Sequence, residues 1–225
     1  MATNAKIDLD VLATSIVGVF PKLDLFEQRL SLELYRLLAG GEPVPRSLLA
    51  ERLGVRVERV NQVLGGWPGV FSDSLQRVVG YWGLSIPAAY ASPHTLTVDG
   101  RRLSAWCAWD TLFLPQLLGK TSAVESTSPT LRTTVNLTVA PEGLEQVDPT
   151  DAQVSFLLPD PLAVQKDIVS TFCYFVHFFP SRDAVDDWIA QRPGTFRLSV
   201  ADAHAVGRRK NQAQYGRVLE RLVKI

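Results

Sequence analysis

Charge of one sign, cysteine and long apolar runs are all scarce in this sequence of 225 residues. Lys plus Arg (23) equals Asp plus Glu (23), so nothing electrostatic points to a nucleic-acid coat or a strongly anionic membrane as partner. The longest apolar stretch, Phe172 to Phe179, contains Cys173 and His177 and is far shorter than the ~20 residues of a spanning helix. The first residues carry Asp8 and Asp10 rather than a basic region ahead of an apolar run, so no secretory signal is expected and a cytoplasmic setting is. There are only two cysteines, Cys107 and Cys173. Cytoplasmic thiols stay reduced, which makes a structural disulfide the weaker reading. Without a CxxC pair, and with His94, His177 and His204 scattered, a four-ligand zinc site cannot be completed, which disfavours a zinc-stabilised structural protein.

What is present describes a folded chain. Apolar residues make up 46% and charged residues 20%, ordinary values for one large or two small domains. Residues 8–20 and 23–40 have helical spacing, the second through Leu25, Leu30, Leu34, Leu37 and Leu38, and Gly40-Gly41 stops it. Short helices follow at Ser47 to Leu53 and Val57 to Leu64, separated by Gly54. Val70-Phe71 and Val78 to Leu84 then flank a polar turn as a hairpin wing. Helix, glycine turn, helix and wing describe a winged-helix-like unit over residues 1–88. Such a unit either reads DNA or packs on its neighbour. Between Glu42 and Ile86, five basic residues (Arg46, Arg52, Arg56, Arg59, Arg77) face four acidic ones (Glu42, Glu51, Glu58, Asp73), too little excess for a basic face, so packing is favoured.

Ile86 to Pro93 has the composition of a linker, and residues 89–225 read as a second domain. Asp99-Gly100 marks a hairpin between Thr95–Val98 and Leu103. Residues 131–139 alternate as a half-buried strand, and Gln153–Leu158 and Thr171–Phe179 read as further strands. Helices are expected at 105–118, 183–191 and 202–223. Pro115 interrupts the first and Gly207 and Gly216 weaken the last. The expected fold class is α+β: a winged-helix-like helical domain packed on a mostly antiparallel sheet with flanking helices. The basic C-terminal residues Arg208, Arg209, Lys210, Arg217, Arg221 and Lys224 read mostly as a solvated face.

The chemistry-bearing residues cluster in Ala105-Trp106-Cys107-Ala108-Trp109-Asp110-Thr111-Leu112-Phe113. On a helix, Cys107 and Asp110 would lie on one face, with Cys107 in the first turn, where the dipole favours thiolate. The flanking Trp106, Trp109 and Phe113 would dry the site and raise the Asp110 pKa, as a proton carrier requires. As a strand, Thr171–Phe179 would set Cys173, Phe175, His177 and Phe179 on one face. The plainer alternatives are that each cysteine is a small buried hydrophobe and His177 a satisfied core histidine.

The segment Arg102 to Leu112 closely resembles the catalytic segment of bacterial organomercurial (alkylmercury) lyases. Phe172-Cys173 followed by Val176-His177-Phe178-Phe179 resembles that family's second cysteine segment. The winged-helix-like region, the strand around Val135–Val139 and the stretch from Ser199-Val200 onward fit the family's order, so the likeness covers nearly the whole chain. The resemblance implies protonolysis of a carbon–mercury bond, giving a hydrocarbon and Hg(II) without an added cofactor. It implies that Cys107 and Cys173 bind mercury and that Asp110 transfers the proton, with Asp110 a further candidate ligand. It implies an organomercurial substrate, small cellular thiols for release of Hg(II), and mercuric reductase as its recipient, with neither nucleic acid nor membrane as partner. The sequence departs from many relatives in having no cysteine around Ser126–Ser128 and in having Tyr174 directly after Cys173. The chemistry is coherent, because mercury is soft and prefers thiolate, and two sulfurs in a near-linear arrangement satisfy it. A competing class is a thiol-based metal-sensing winged-helix transcriptional regulator. The near-neutral winged-helix region and the absence of an obvious dimerisation helix in the sequence count against it.

Overall fold

The computed structural model describes residues 8–20 and 22–222. Four helices come first: α1 (Leu9–Val19), α2 (Leu25–Leu38), α3 (Arg46–Leu53) and α4 (Val57–Gly66). The α2 helix starts at a reciprocal cap, in which Asp24 accepts from the Glu27 N–H at 2.8 Å and Glu27 accepts from the Asp24 N–H at 2.8 Å. Its Leu30, Leu34, Tyr35 and Leu38 are buried. The α3 helix stops at Gly54, which takes the left-handed conformation.

The strands β1 (Val70–Ser72), β2 (Val78–Tyr81), β3 (Leu84–Ser85), β4 (His94–Val98) and β5 (Arg101–Ala105) follow, and then helix α5 (Asp110–Leu118). Next come β6 (Ser122–Thr127), β7 (Thr134–Val139), β8 (Leu144–Asp148) and β9 (Gln153–Leu157). The chain ends in α6 (Pro161–Thr171), β10 (Phe178–Phe179), α7 (Arg182–Ala190), β11 (Thr195–Ser199) and α8 (Val200–Leu222). Among the described residues, eight strands form one antiparallel sheet in the order β1-β2-β3-β5-β4-β6-β7-β8, and β10-β9-β11 form a second. The class is α+β, with a large antiparallel sheet and flanking helices. The hairpin after α4 is continuous with the large sheet, because β3 pairs with β5. One buried apolar cluster runs from Leu12 of α1 to Leu219 of α8. No helix among the described residues is long and apolar enough to cross a membrane.

The Asp99-Gly100 hairpin forms as expected, with φ of 48° and 77° suiting a two-residue turn. Several expectations change. Val78 to Leu84 is not one strand, since Trp82 (φ 29°) and Gly83 (φ 95°) turn the chain between β2 and β3. The helix expected at 105–118 starts only at Asp110, because residues 106–109 leave the sheet in an irregular turn. Thr171–Phe179 is not a strand. It runs from the end of α6 through a 3₁₀ turn, Cys173–Phe175, into the two-residue β10. The turn is closed by Phe175 N–H to Phe172 O at 3.0 Å and Val176 N–H to Cys173 O at 3.1 Å. Cys173, Phe175, His177 and Phe179 therefore do not share a strand face. The expected strand at 131 begins at Thr134, after Arg132 with φ 55°. Position 223 of the last expected helix lies outside the described residues, as do the side chains of Arg217, Arg221 and Lys224. Lys210, read among solvated charges, is 1% exposed.

Candidate active site

The turn between β5 and α5 is held from four directions. Trp106 N–H donates to Gly83 O at 3.0 Å, and its indole N–H donates to Ser85 Oγ at 2.7 Å. Ala108 N–H donates to Val176 O at 3.1 Å, which ties this turn directly to the second cysteine segment. The Trp109 indole N–H donates to Ala203 O of α8 at 2.9 Å. Gly207 permits that approach: a Cβ there would stand 2.8 Å from the Phe113 Cβ. The glycine that weakens α8 as a helix is what lets it lie against α5.

Within this frame Asp110, the first residue of α5, turns its carboxylate back, and Oδ2 accepts the Cys107 N–H at 2.8 Å. Cys107 lies ahead of the helix, not in its first turn, so the expected dipole argument for a thiolate does not hold, and the charge of the adjacent Asp110 works against one. The Sγ atoms of Cys107 and Cys173 and a carboxylate oxygen of Asp110 all lie within 4.8 Å of one another. All three residues are buried. The structure thus brings together the three residues singled out in the sequence, by a loop and a 3₁₀ turn rather than by a helix face and a strand face.

Burial decides the electrostatics. It pushes the Cys107 thiol well up, and the neighbouring Cys173 and Asp110 add to this. For Cys173, the hydrogen bond with Cys107 lowers the pKa, but burial and Asp110 together outweigh it and the thiol is raised. Burial lifts Asp110 to about 6 against the hydrogen bonds from Cys107 and the charge of Lys210, which lower it. Both thiols are therefore protonated near neutral pH, beside a carboxyl group poised to exchange a proton.

The pocket wall is apolar. Trp82, Trp106, Trp109, Phe113 and Phe172 line it, together with Ile16 and Val19 of α1 and Val164 and Ile168 of α6. The free volume is about 10 Å³, roughly the room one water needs. Gly83 also lines it, with no space for a side chain against Asp110.

Several contributors were not foreseen. Gly83 left no trace beyond a glycine in an apparent strand. The α6 lining and Lys210 gave no usable signal either. Lys210 Nζ sits 4.1 Å from the Phe113 ring centre and 4.7 Å from that of Phe20. His94 and His177 are hydrogen-bonded to each other, as satisfied core histidines.

Comparison with known proteins follows the same lines. The family model described as alkylmercury lyase (MerB) matches residues 88–212. The alkylmercury lyase of Staphylococcus epidermidis is 42% identical over 175 residues, 78% of each chain. That of Pseudomonas putida is 40% identical over 178 residues, covering 79% of this chain and 81% of its own. That of Streptomyces lividans is 36% identical over 180 residues, 80% of each. Among solved structures, the mercury-bound form of MerB2 superposes with a TM-score of 0.69 over 90% of this chain and 97% of its own, at 21% identity, a likeness of fold.

Proposed function

This chain belongs to the alkylmercury lyase family, and we propose from that membership that it cleaves carbon–mercury bonds by protonolysis, with Cys107 and Cys173 as mercury ligands and Asp110 as proton carrier. The observation that carries the reading is the convergence of two thiols and one carboxyl within 4.8 Å in an apolar, aromatic pocket.

The bookkeeping of bonds is simple. An organomercurial cation R–Hg⁺ and two cysteine thiols yield R–H, a mercury held by two thiolates, and one proton. As the first S–Hg bond forms, a thiol proton passes to the Asp110 carboxylate. The second sulfur adds and loses its proton to solvent. Two thiolates push electron density onto mercury and make the bound carbon more basic. Asp110 then delivers its proton to that carbon, the C–Hg bond breaks, and the hydrocarbon leaves. An acid with a pKa near 6 suits both halves of this exchange at neutral pH. The aromatic wall suits the organic group and excludes water. No added cofactor enters the scheme. Small cellular thiols would displace Hg(II), and mercuric reductase would receive it, in the reducing cytoplasm.

The same reading keeps residues 1–88 as a winged-helix-like unit packed on a catalytic domain at 89–225. The first region contributes Ile16, Trp82 and Gly83 to the pocket, a reason for it to be retained without DNA. The thiol-sensor alternative is not favoured. The matching family model and the relatives at about 40% identity are lyases, and the site adds a carboxyl group that a sensor of two thiols does not need. The deciding experiment is incubation with phenylmercury and excess thiol, followed by assay for benzene. Stoichiometric benzene and Hg(II) are expected, and tight mercury binding with no benzene overturns the reading.

A further inference from the structure

Cys173 opens the short 3₁₀ turn Cys173–Phe175. The following residue, Tyr174, projects its side chain to solvent (58% exposed), so its carbonyl is its hold on the interior. That carbonyl accepts from His177 Nε2 at 2.8 Å. His177 Nδ1 lies 3.1 Å from His94 Nε2, and His94 Nδ1 lies 2.6 Å from Ser126 Oγ. A carbonyl only accepts, so His177 must carry its proton on Nε2. A neutral His177 then accepts at Nδ1, which makes His94 Nε2 the donor. A neutral His94 accepts in turn at Nδ1, so the Ser126 hydroxyl donates to it. Every step has one allowed direction: Ser126 to His94 to His177 to the Tyr174 carbonyl.

The anchor of this chain is rigid and close to the other cysteine. His94 opens β4, in the middle of the large sheet, paired with Ala105 on one side and Ser126 on the other. Ala105 is two residues before Cys107. The His177 backbone is held as well, its N–H by Ser155 Oγ at 3.0 Å and its carbonyl by the Ser155 N–H at 3.0 Å. The His177 ring packs edge-on against Trp188 at 5.3 Å. The sheet that positions Cys107 thus reaches across through two imidazoles to the turn that carries Cys173.

We propose that His94 and His177 are positioning residues of the lyase site: their one-way hydrogen-bond chain from Ser126 to the Tyr174 carbonyl fixes the turn that presents Cys173 to Cys107. This rests on the two-cysteine reading above, but the chain itself is testable without it. Burial of both rings, which keeps them neutral, agrees with the assignment.

Long-range ¹⁵N–¹H spectra of the wild-type protein at neutral pH should show both imidazoles as the Nε2–H tautomer, and Nδ1–H at either ring overturns the chain. In parallel, His177→Leu and His94→Leu should lose Hg(II) to a competing dithiol at least tenfold more readily than wild type, with a matching fall in benzene release. His177→Gln should recover most of both, because its amide can donate to the Tyr174 carbonyl and accept from His94. Folded leucine variants that hold mercury and turn over like wild type overturn the positioning role, as does failure of His177→Gln to recover what His177→Leu loses. Should the leucine variants not fold, the tautomers and His177→Gln against His177→Ala decide in the same way. Failure of the lyase reading would appear separately, as wild-type protein that releases no benzene.

Discussion

Gly83 and Asp110 are packed so closely that a Cβ on the glycine would stand 2.5 Å from Asp110 Oδ1 and 2.6 Å from its Cγ. Gly83 also has φ 95°, where L side chains are strained. Gly83→Ala must therefore displace the carboxyl group or the β2–β3 turn. The three heavy atoms nearest that Cβ all belong to Asp110, so both thiols should still retain Hg(II). We expect cleavage to fall by about 10²-fold, the scale of losing a positioned acid–base group, with a stability loss of about 1–2 kcal/mol from the strained φ. Benzene release, mercury stoichiometry and melting temperature on one preparation check this. Unchanged turnover would show that the carboxyl position is not critical.

Asp110→Asn separates binding from cleavage more cleanly. Asn keeps the size and can still accept the Cys107 N–H, but it carries no titratable proton. Mercury binding should persist, and cleavage should drop by about 10²–10⁴-fold. The stability effect has the opposite sign. The folded-state pKa is raised from 3.8 to about 6, so the folded protein binds the proton more tightly than the unfolded chain. The wild-type benefit is complete below pH 4 and is lost as pH rises through 6. Above that, burying the carboxylate costs on the order of 3 kcal/mol. Thermal melts should thus show the Asn variant gaining on wild type between pH 4 and pH 7, then holding a constant lead. Equal melting temperatures at pH 8 would contradict the burial cost.

How much of this was readable beforehand depended on whether the cause was local. The leucine spacing of α2 with its Gly40-Gly41 stop and the Asp99-Gly100 turn are short-range signals, and these elements lie where the pattern puts them. Cys107, Asp110 and Cys173 were legible through family resemblance rather than spacing, since the assumed helix face and strand face do not exist. The Thr171–Phe179 run is apolar and rich in β-formers, but hydrogen bonds to Ser155, Ala108 and His94, all distant in sequence, decide its shape. The same holds for Gly83 and Gly207. Each is conspicuous only once Asp110 or Phe113 is seen against it. Lys210 looked like one of a row of surface cations, and only the docking of α8 buries it.

The two cysteines should fail differently from Asp110. Two sulfurs are the smallest soft set that satisfies mercury, and a serine hydroxyl is hard and does not ionise near neutrality. Cys107→Ser and Cys173→Ser should each remove most cleavage and also lose Hg(II) to competing small thiols. One mercury per chain retained by either variant after that competition would contradict the paired-ligand arrangement.

The pH dependence follows from Asp110 and its surroundings. The groups that bear on it are Cys107, Cys173 and Lys210. The first step needs the carboxylate form, so kcat/KM should fall as pH drops through about 6. Lys210 is held at about 7 by burial, while Asp110 pulls it the other way. Its positive charge in turn favours the Asp110 carboxylate. Lys210→Met keeps the length and removes the charge, so Asp110 should titrate higher and the acid limb of activity should move above pH 6. Stability supplies an independent check. The lysine's folded pKa lies below its usual 10.5, so the penalty for burying its charge is complete below pH 7 and fades as pH rises toward 10.5. The Met variant should therefore melt several degrees above wild type at pH 6, with the gap closing by pH 10. An acid limb that stays at pH 6 while the melting gap behaves as expected would leave Lys210 a packing residue with no hold on the proton carrier.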